Sequence, residues 1–277
     1  MAIISSAFSQ FLTVTYGADI EATIARRDLG PLGSFGGGPN PMPNRGGMGR
    51  TKRPIIIVHG RLSTFAAEYE NIRQYFLLNN YTDSELYASS YGHGPVNWTH
   101  DAMICEHVQR AILGGVCVDT GVQLGTPLTA LVHTFLGVAG ANRDCVHLCR
   151  ALTRATGNAP CNSISGMTCH SQFLQDINNA PKGQHFEASQ RVYTISSRHD
   201  EVVGYYDCDG LLVSSIPSED KHIELVGFSH LGTILGTPKE QMELINGNYE
   251  QQKINVTINW LIIPEDPFKM ARKMFPF

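Results

Sequence analysis

No apolar run in this sequence reaches 18 residues, so no stretch of it reads as a transmembrane helix. No block of five or more like charges occurs, and 21 basic residues against 25 acidic ones leave no basic stripe of the kind nucleic-acid binders carry. No Cys-x-x-Cys pair exists among the seven cysteines, which removes the spacing a structural zinc site needs. What is present is 277 residues, 17% charged and 42% hydrophobic, enough to bury one large core or two modest ones. Twelve Phe and a spread of Val, Ile and Leu exclude a disordered or fibrous chain.

The cysteines bear on compartment. Cys145, Cys149, Cys161 and Cys169 fall within 25 residues of a Gly/Asn/Ser/Thr-rich stretch that reads as loop. In a secreted chain that is a disulfide framework of open pairing, with free thiols as the alternative. An odd seventh cysteine implies a free thiol or a lost partner. Three Asn-x-Ser/Thr sequons start at Asn80, Asn97 and Asn255, but chance alone gives roughly two at this composition, so they weigh little as glycan acceptors. The start, Met1 to Phe8, has no basic region and only a short apolar stretch, so it does not read as a signal peptide. The cysteines and the N-terminus therefore disagree: the chain is cytosolic, or its true start lies upstream.

Along the chain, residues 8–29 have room for one short helix. From Gly30 to Arg50, eight Gly and four Pro in 21 residues read as loop or linker without a regular element. Ile55-Ile56-Ile57-Val58, opened by Pro54 and closed by His59-Gly60, reads as a buried parallel strand. Tyr69, Ile72, Tyr75 and Phe76 have helical spacing across 66–79. Further strands are expected at 85–89, 134–139, 191–196 and 223–226, and helices at 101–113, 173–177 and from Leu231. Strands alternating with helices argue for an α/β domain with a mostly parallel sheet. The expected division is an N-terminal segment with a Gly/Pro-rich linker at 1–53, a domain at 54–265 and a tail at 266–277.

In open parallel sheets functional side chains lie just past the carboxyl ends of strands. Three such ends carry polar groups here: His59-Gly60, Asp200 and His230. Singly each is weak, since an Asp in a strand-end loop is more often a turn former and a lone His a surface or core residue. Together they stand in the chain order of an α/β-hydrolase, in which an Asp orients a His that acts as base for a nucleophile.

The sequence resembles the class 2 secreted lipases, α/β-hydrolases of the kind expanded in nematodes. The resemblance is carried by Arg27-Asp28-Leu29-Gly30, Gly33-Ser34-Phe35-Gly36-Gly37, Pro54 to Gly60, Tyr87 to Gly92, Ala111 to Gly121, Leu124 to Thr129, Phe135 to Asn142 and Phe173 to Asn178. It implies hydrolysis of lipid esters by a Ser–His–Asp mechanism without metal or cofactor, and a secreted protein that meets lipid esters or a lipid–water interface. Carried over position by position, it makes Asp200 the acid, His230 the base, and the backbone N–H of Arg61 part of the oxyanion hole.

The family's nucleophile, a Ser in Gly-x-Ser-x-Gly on a strand-to-helix elbow, is missing. It belongs between Tyr87–Gly92 and Ala111–Gly115, and the interval from His93 to Arg110 contains no serine. A strand, an elbow and the first turns of a helix need roughly 20–30 residues more. The flanking pieces meet near Val108 to Arg110, as if an exon had been skipped, so the expected sheet lacks its central strand and is narrowed or gapped. Ser90, in Ala88-Ser89-Ser90-Tyr91-Gly92, matches the elbow on paper, but Gly-His-Gly-Pro follows it and cannot start a helix. Cys117 stands in half of a cysteine elbow with no expected strand before it, and a disulfide role suits it better. His93, His100 and His107 recur every seven residues, two helical turns apart, too far to share a metal. The chain thus reads as an inactive lipase homologue, with binding of lipid or of a protein partner as the alternative role.

Overall fold

The computed structural model describes residues 4–38, 52–60, 66–90, 115–116, 123–125, 129–144, 149, 161–164, 166–179 and 186–249. The helix expected at 101–113, Arg61, Cys117, the three histidines at 93, 100 and 107, and the tail lie outside them.

The N-terminal segment forms two helices, α1 (Ser6–Tyr16) and α2 (Ala18–Ala25), where one was expected. Ser5 starts α1 by accepting the Phe8 N–H at 3.1 Å. Gly17, at φ 94°, breaks the pair, because L side chains rarely adopt that backbone angle. The Gly/Pro stretch was expected to hold no regular element, yet it contributes β1 (Ser34–Gly36). Phe35, 1% exposed, anchors that strand in the core. Gly36 makes the pairing sterically accessible: at φ 120°, a Cβ there would meet the Leu86 carbonyl at 2.2 Å. Composition alone reads these glycines as breakers, whereas one of them permits a close backbone approach.

The fold is α/β, with its strands in two half-sheets. In the first, β3 (Leu86–Ser89) lies between antiparallel β1 and parallel β2 (Ile55–Ile57). In the second, β6 (Thr134–Val138), β7 (Arg191–Ser197) and β8 (Lys221–Leu225) run parallel in that order. A small antiparallel pair, β4 (Gly115–Val116) and β5 (Gln123–Gly125), stands apart. β2 and β6 are edge strands of their own sheets, and among the described residues neither pairs on its open side.

One core nevertheless joins the halves. Leu86, Ala88 and Phe35 from the first half cluster with Ala139, just past β6. Helix α4 (Gln172–Asn178) forms where helix was expected at 173–177; the helices covering the joint core are α3 (Glu70–Leu78), which supplies Ile72 and Phe76, together with α5 (His230–Leu235) and α6 (Pro238–Asn246). Asn71 donates to the Leu235 carbonyl at 2.7 Å, and the Tyr81 hydroxyl donates to Asn246 at 2.7 Å, so polar bonds fasten the same face. The other face of β2 is open. Ile56 is 75% and Val58 69% exposed, which corrects the expectation of a fully buried strand. β-Branched residues read as buried on both faces only when both faces have cover.

Candidate functional site

β7 and β8 are adjacent and parallel, so the loops at their carboxyl ends start side by side. After β7, Ser197 accepts the His199 N–H at 3.1 Å and donates to the Phe228 carbonyl at 2.6 Å, which ties one loop to the other. Arg198 N–H donates to the Leu225 carbonyl at 3.1 Å, and Gly227 N–H donates to His199 Nδ1 at 3.0 Å. Four short polar bonds thus hold the two loops in one geometry.

Within that frame Asp200 and His230 meet. The Asp200 side chain is 1% exposed and that of His230 12%. Asp200 Oδ1 accepts the N–H groups of Val202 and Val203 at 3.0 and 2.9 Å. Its Oδ2 lies 2.8 Å from His230 Nδ1. A buried carboxylate must have its lone pairs used, and here three donors use them. His230 opens helix α5, with Ser229 as the N-cap accepting the Gly232 N–H at 3.0 Å. The His230 N–H is left over at that helix start, and Glu201 accepts it at 3.0 Å. The backbone of His230 is thereby fixed as firmly as its ring.

With Nδ1–H committed to Asp200, the lone pair of the neutral ring is on Nε2. Among the described residues Nε2 has no hydrogen-bond partner. A His held by a buried carboxylate, with its other nitrogen open among the described residues, is chemically able to serve as a general base.

His59, past β2, is buried and lies with Nδ1 2.8 Å from the Gly60 carbonyl. Ser90 is buried too, and its backbone is structural: its N–H donates to the Gly33 carbonyl at 2.8 Å and its carbonyl accepts from Arg26 at 2.6 Å. Before Cys117 there is a strand after all, β4, contrary to expectation. It pairs antiparallel with β5, with six residues between the two strands.

Beneath the Asp200 loop are two disulfides, Cys149–Cys161 and Cys169–Cys208, with Cα atoms 5.5 and 6.1 Å apart. Cys149, Met167, Val203 and Val213 form a small core there. The disulfide framework was legible in the loop cysteines. Cys208 as a partner was not, because it lies 39 residues from Cys169 and no spacing rule points to it.

A family model described as Lipase (class 2) matches the chain over residues 52–111 and again over 109–243. The two matches meet at 109–111. No curated protein and no solved structure matches the chain.

Proposed function

The chain belongs to the class 2 lipase family, and from that premise we propose that it retains the acid and base of a Ser–His–Asp ester hydrolase while lacking the nucleophile. Asp200 is the acid and His230 the base, and the Arg61 backbone N–H serves the oxyanion hole. In an intact site the serine attacks the acyl carbonyl, His230 takes its proton at Nε2, and Asp200 stabilises the imidazolium. Backbone N–H groups then hold the oxyanion. The observation that supports this reading is that the family match falls into two pieces that overlap at 109–111, at the end of the serine-free interval from His93 to Arg110. The second oxyanion N–H, from the residue after the nucleophile, is lost with it. The paired cysteines support an oxidising, secreted setting.

The purified chain should show no hydrolysis of a short p-nitrophenyl ester above a denatured control. Turnover that a serine-directed phosphonate blocks, and that a Ser90→Ala substitution abolishes, would overturn the reading. In the genomic DNA, an exon encoding Gly-x-Ser-x-Gly in frame between the codons for Val108 and Ala111 would explain the gap as a splice variant or gene-model error.

A second reading, a non-catalytic binder of lipid, is favoured by Val226 and Leu231, which flank the His230 loop and are 54% and 39% exposed. A folded, inactive chain that co-sediments with triacylglycerol emulsions, and loses that binding on Val226→Ser and Leu231→Ser, would support it.

A further inference from the structure

The strands that carry the acid and base loops also hold a separate polar cluster. Ile195 and Ile223 point into the core with Leu244 of α6. Thr194, Ser196 and His222 alternate with them and occupy the opposite face. Thr194 and His222 are register partners across β7 and β8. Thr194 Oγ1 lies 2.6 Å from His222 Nδ1 and also hydrogen-bonds the Glu219 carboxyl. Ser196 Oγ lies 2.9 Å from His222 Nε2. Glu219 Oε1 is 3.6 Å from His222 Nδ1. Thr194 and Ser196 are buried, and the His222 and Glu219 side chains are only 17% and 12% exposed.

The proton count of this chain of groups fixes its direction. Each hydroxyl has one proton to give, and a neutral imidazole has one N–H. When Glu219 is ionised it can only accept, so Thr194 donates to it. The Thr194 oxygen must then accept Nδ1–H from His222, and Nε2 accepts the Ser196 O–H. When Glu219 is protonated, its own O–H needs an acceptor, and Thr194 is the one at hand. Thr194 then donates to Nδ1, and His222 donates Nε2–H to Ser196.

We propose that Glu219, Thr194, His222 and Ser196 form a pH-responsive relay between β7 and β8, in which loss of the Glu219 proton reverses every hydrogen bond and moves His222 from the Nε2–H to the Nδ1–H tautomer. No bond between heavy atoms changes. Glu219 gives one proton to solvent, the Thr194 and Ser196 hydroxyl protons rotate to their new acceptors, and the imidazole releases its Nε2 proton to solvent and takes one up at Nδ1, so that the net loss is one proton.

The surroundings favour neutral groups. Burial pushes the Glu219 carboxyl up to about 7, against hydrogen bonds from Thr194 and the Ile216 backbone. The charged side chains facing it are Arg143, which favours its ionised form, and Glu187, which opposes it. Burial pushes the His222 imidazole down, with Glu224 on β8 pulling the other way. Asp220, the neighbour in the turn, is engaged by the Val192 N–H at 2.7 Å. The relay lies one residue from Ser197, whose hydroxyl bridges to Phe228 in the His230 loop.

The test is the histidine tautomer itself. In the full chain labelled with ¹⁵N-histidine, long-range ¹H–¹⁵N spectra should show His222 as Nε2–H on the acid side and Nδ1–H on the basic side, with a midpoint of about 7. Glu219→Gln should leave the tautomer insensitive to pH. If that variant does not fold, Thr194→Val cuts the same link: His222 should stop tracking pH while the Glu219 carboxyl band still titrates in the infrared. One tautomer throughout in the unsubstituted chain, conversion of His222 to imidazolium over the same range, or switching that survives in the folded variants would overturn the proposal.

Discussion

Ester hydrolysis should rise by about 10⁴–10⁶-fold when a segment carrying Gly-x-Ser-x-Gly is inserted between Val108 and Ala111, because removing the nucleophile of a triad costs a rate of that order. The Asp200–His230 pair needs no rebuilding. Asp200 and His230 are already 2.8 Å apart, and Nε2 is available to take a proton. What the insert supplies is a serine oxygen at Nε2 and the second oxyanion N–H. In the restored chain, Asp200→Asn should lower turnover by about 10³–10⁴-fold, since an amide favours the wrong imidazole tautomer. His230→Ala should remove most of the gain. The measurement is the initial rate on a p-nitrophenyl ester with and without a serine-directed phosphonate. A restored chain that folds, shows the same acid–base geometry and still does not turn over would refute the assignment of the pair.

The second large effect is on stability. The restored chain should melt well above the present one under oxidising conditions. A central strand brings roughly three buried aliphatic side chains at about 1.5–3 kcal/mol each, a sum of about 5–9 kcal/mol. A whole domain has only about 5–15 kcal/mol of net stability. Edge hydrogen bonding adds to this, because β2 and β6 each present an open side. Ile56 and Val58, now 75% and 69% exposed, also gain cover. Differential scanning calorimetry of the two chains side by side checks it. Equal melting temperatures would mean that the segment is dispensable and the gap a selected feature.

Much of the second half-sheet was legible because its signals are local. Short stretches rich in apolar residues ending in Gly-rich or polar loops located β6, β7 and β8, and strand-end placement singled out Asp200 and His230. Their proximity follows from one topological fact, that parallel neighbours end side by side. The N-terminal half was harder. Ser34-Phe35-Gly36 carries no strand propensity, and its pairing depends on a glycine admitting the Leu86 carbonyl, which only the partner strand defines. Helix α6 went unread although Pro238 at its start and Gly247 at its end mark it. The exposure of Ile56 was invisible for a different reason. Sequence reports what a strand expects as neighbours, while exposure depends on whether they are there.

The way Asp200 is held has a consequence for inheritance. Its hydrogen bonds come from Val202, Val203 and His230, and His230 is placed by Glu201 and Ser229. All of these residues lie within 31 positions of sequence, far from the interval between His93 and Arg110. A change in that interval leaves the pair's own bonds intact, whereas loss of the His230 ring would take one of three donors from a buried carboxylate. The fold therefore has its own use for this Asp–His contact, independent of any turnover. An intact Asp–His pair in such a frame reports on packing, whereas a serine at Nε2 would report on chemistry.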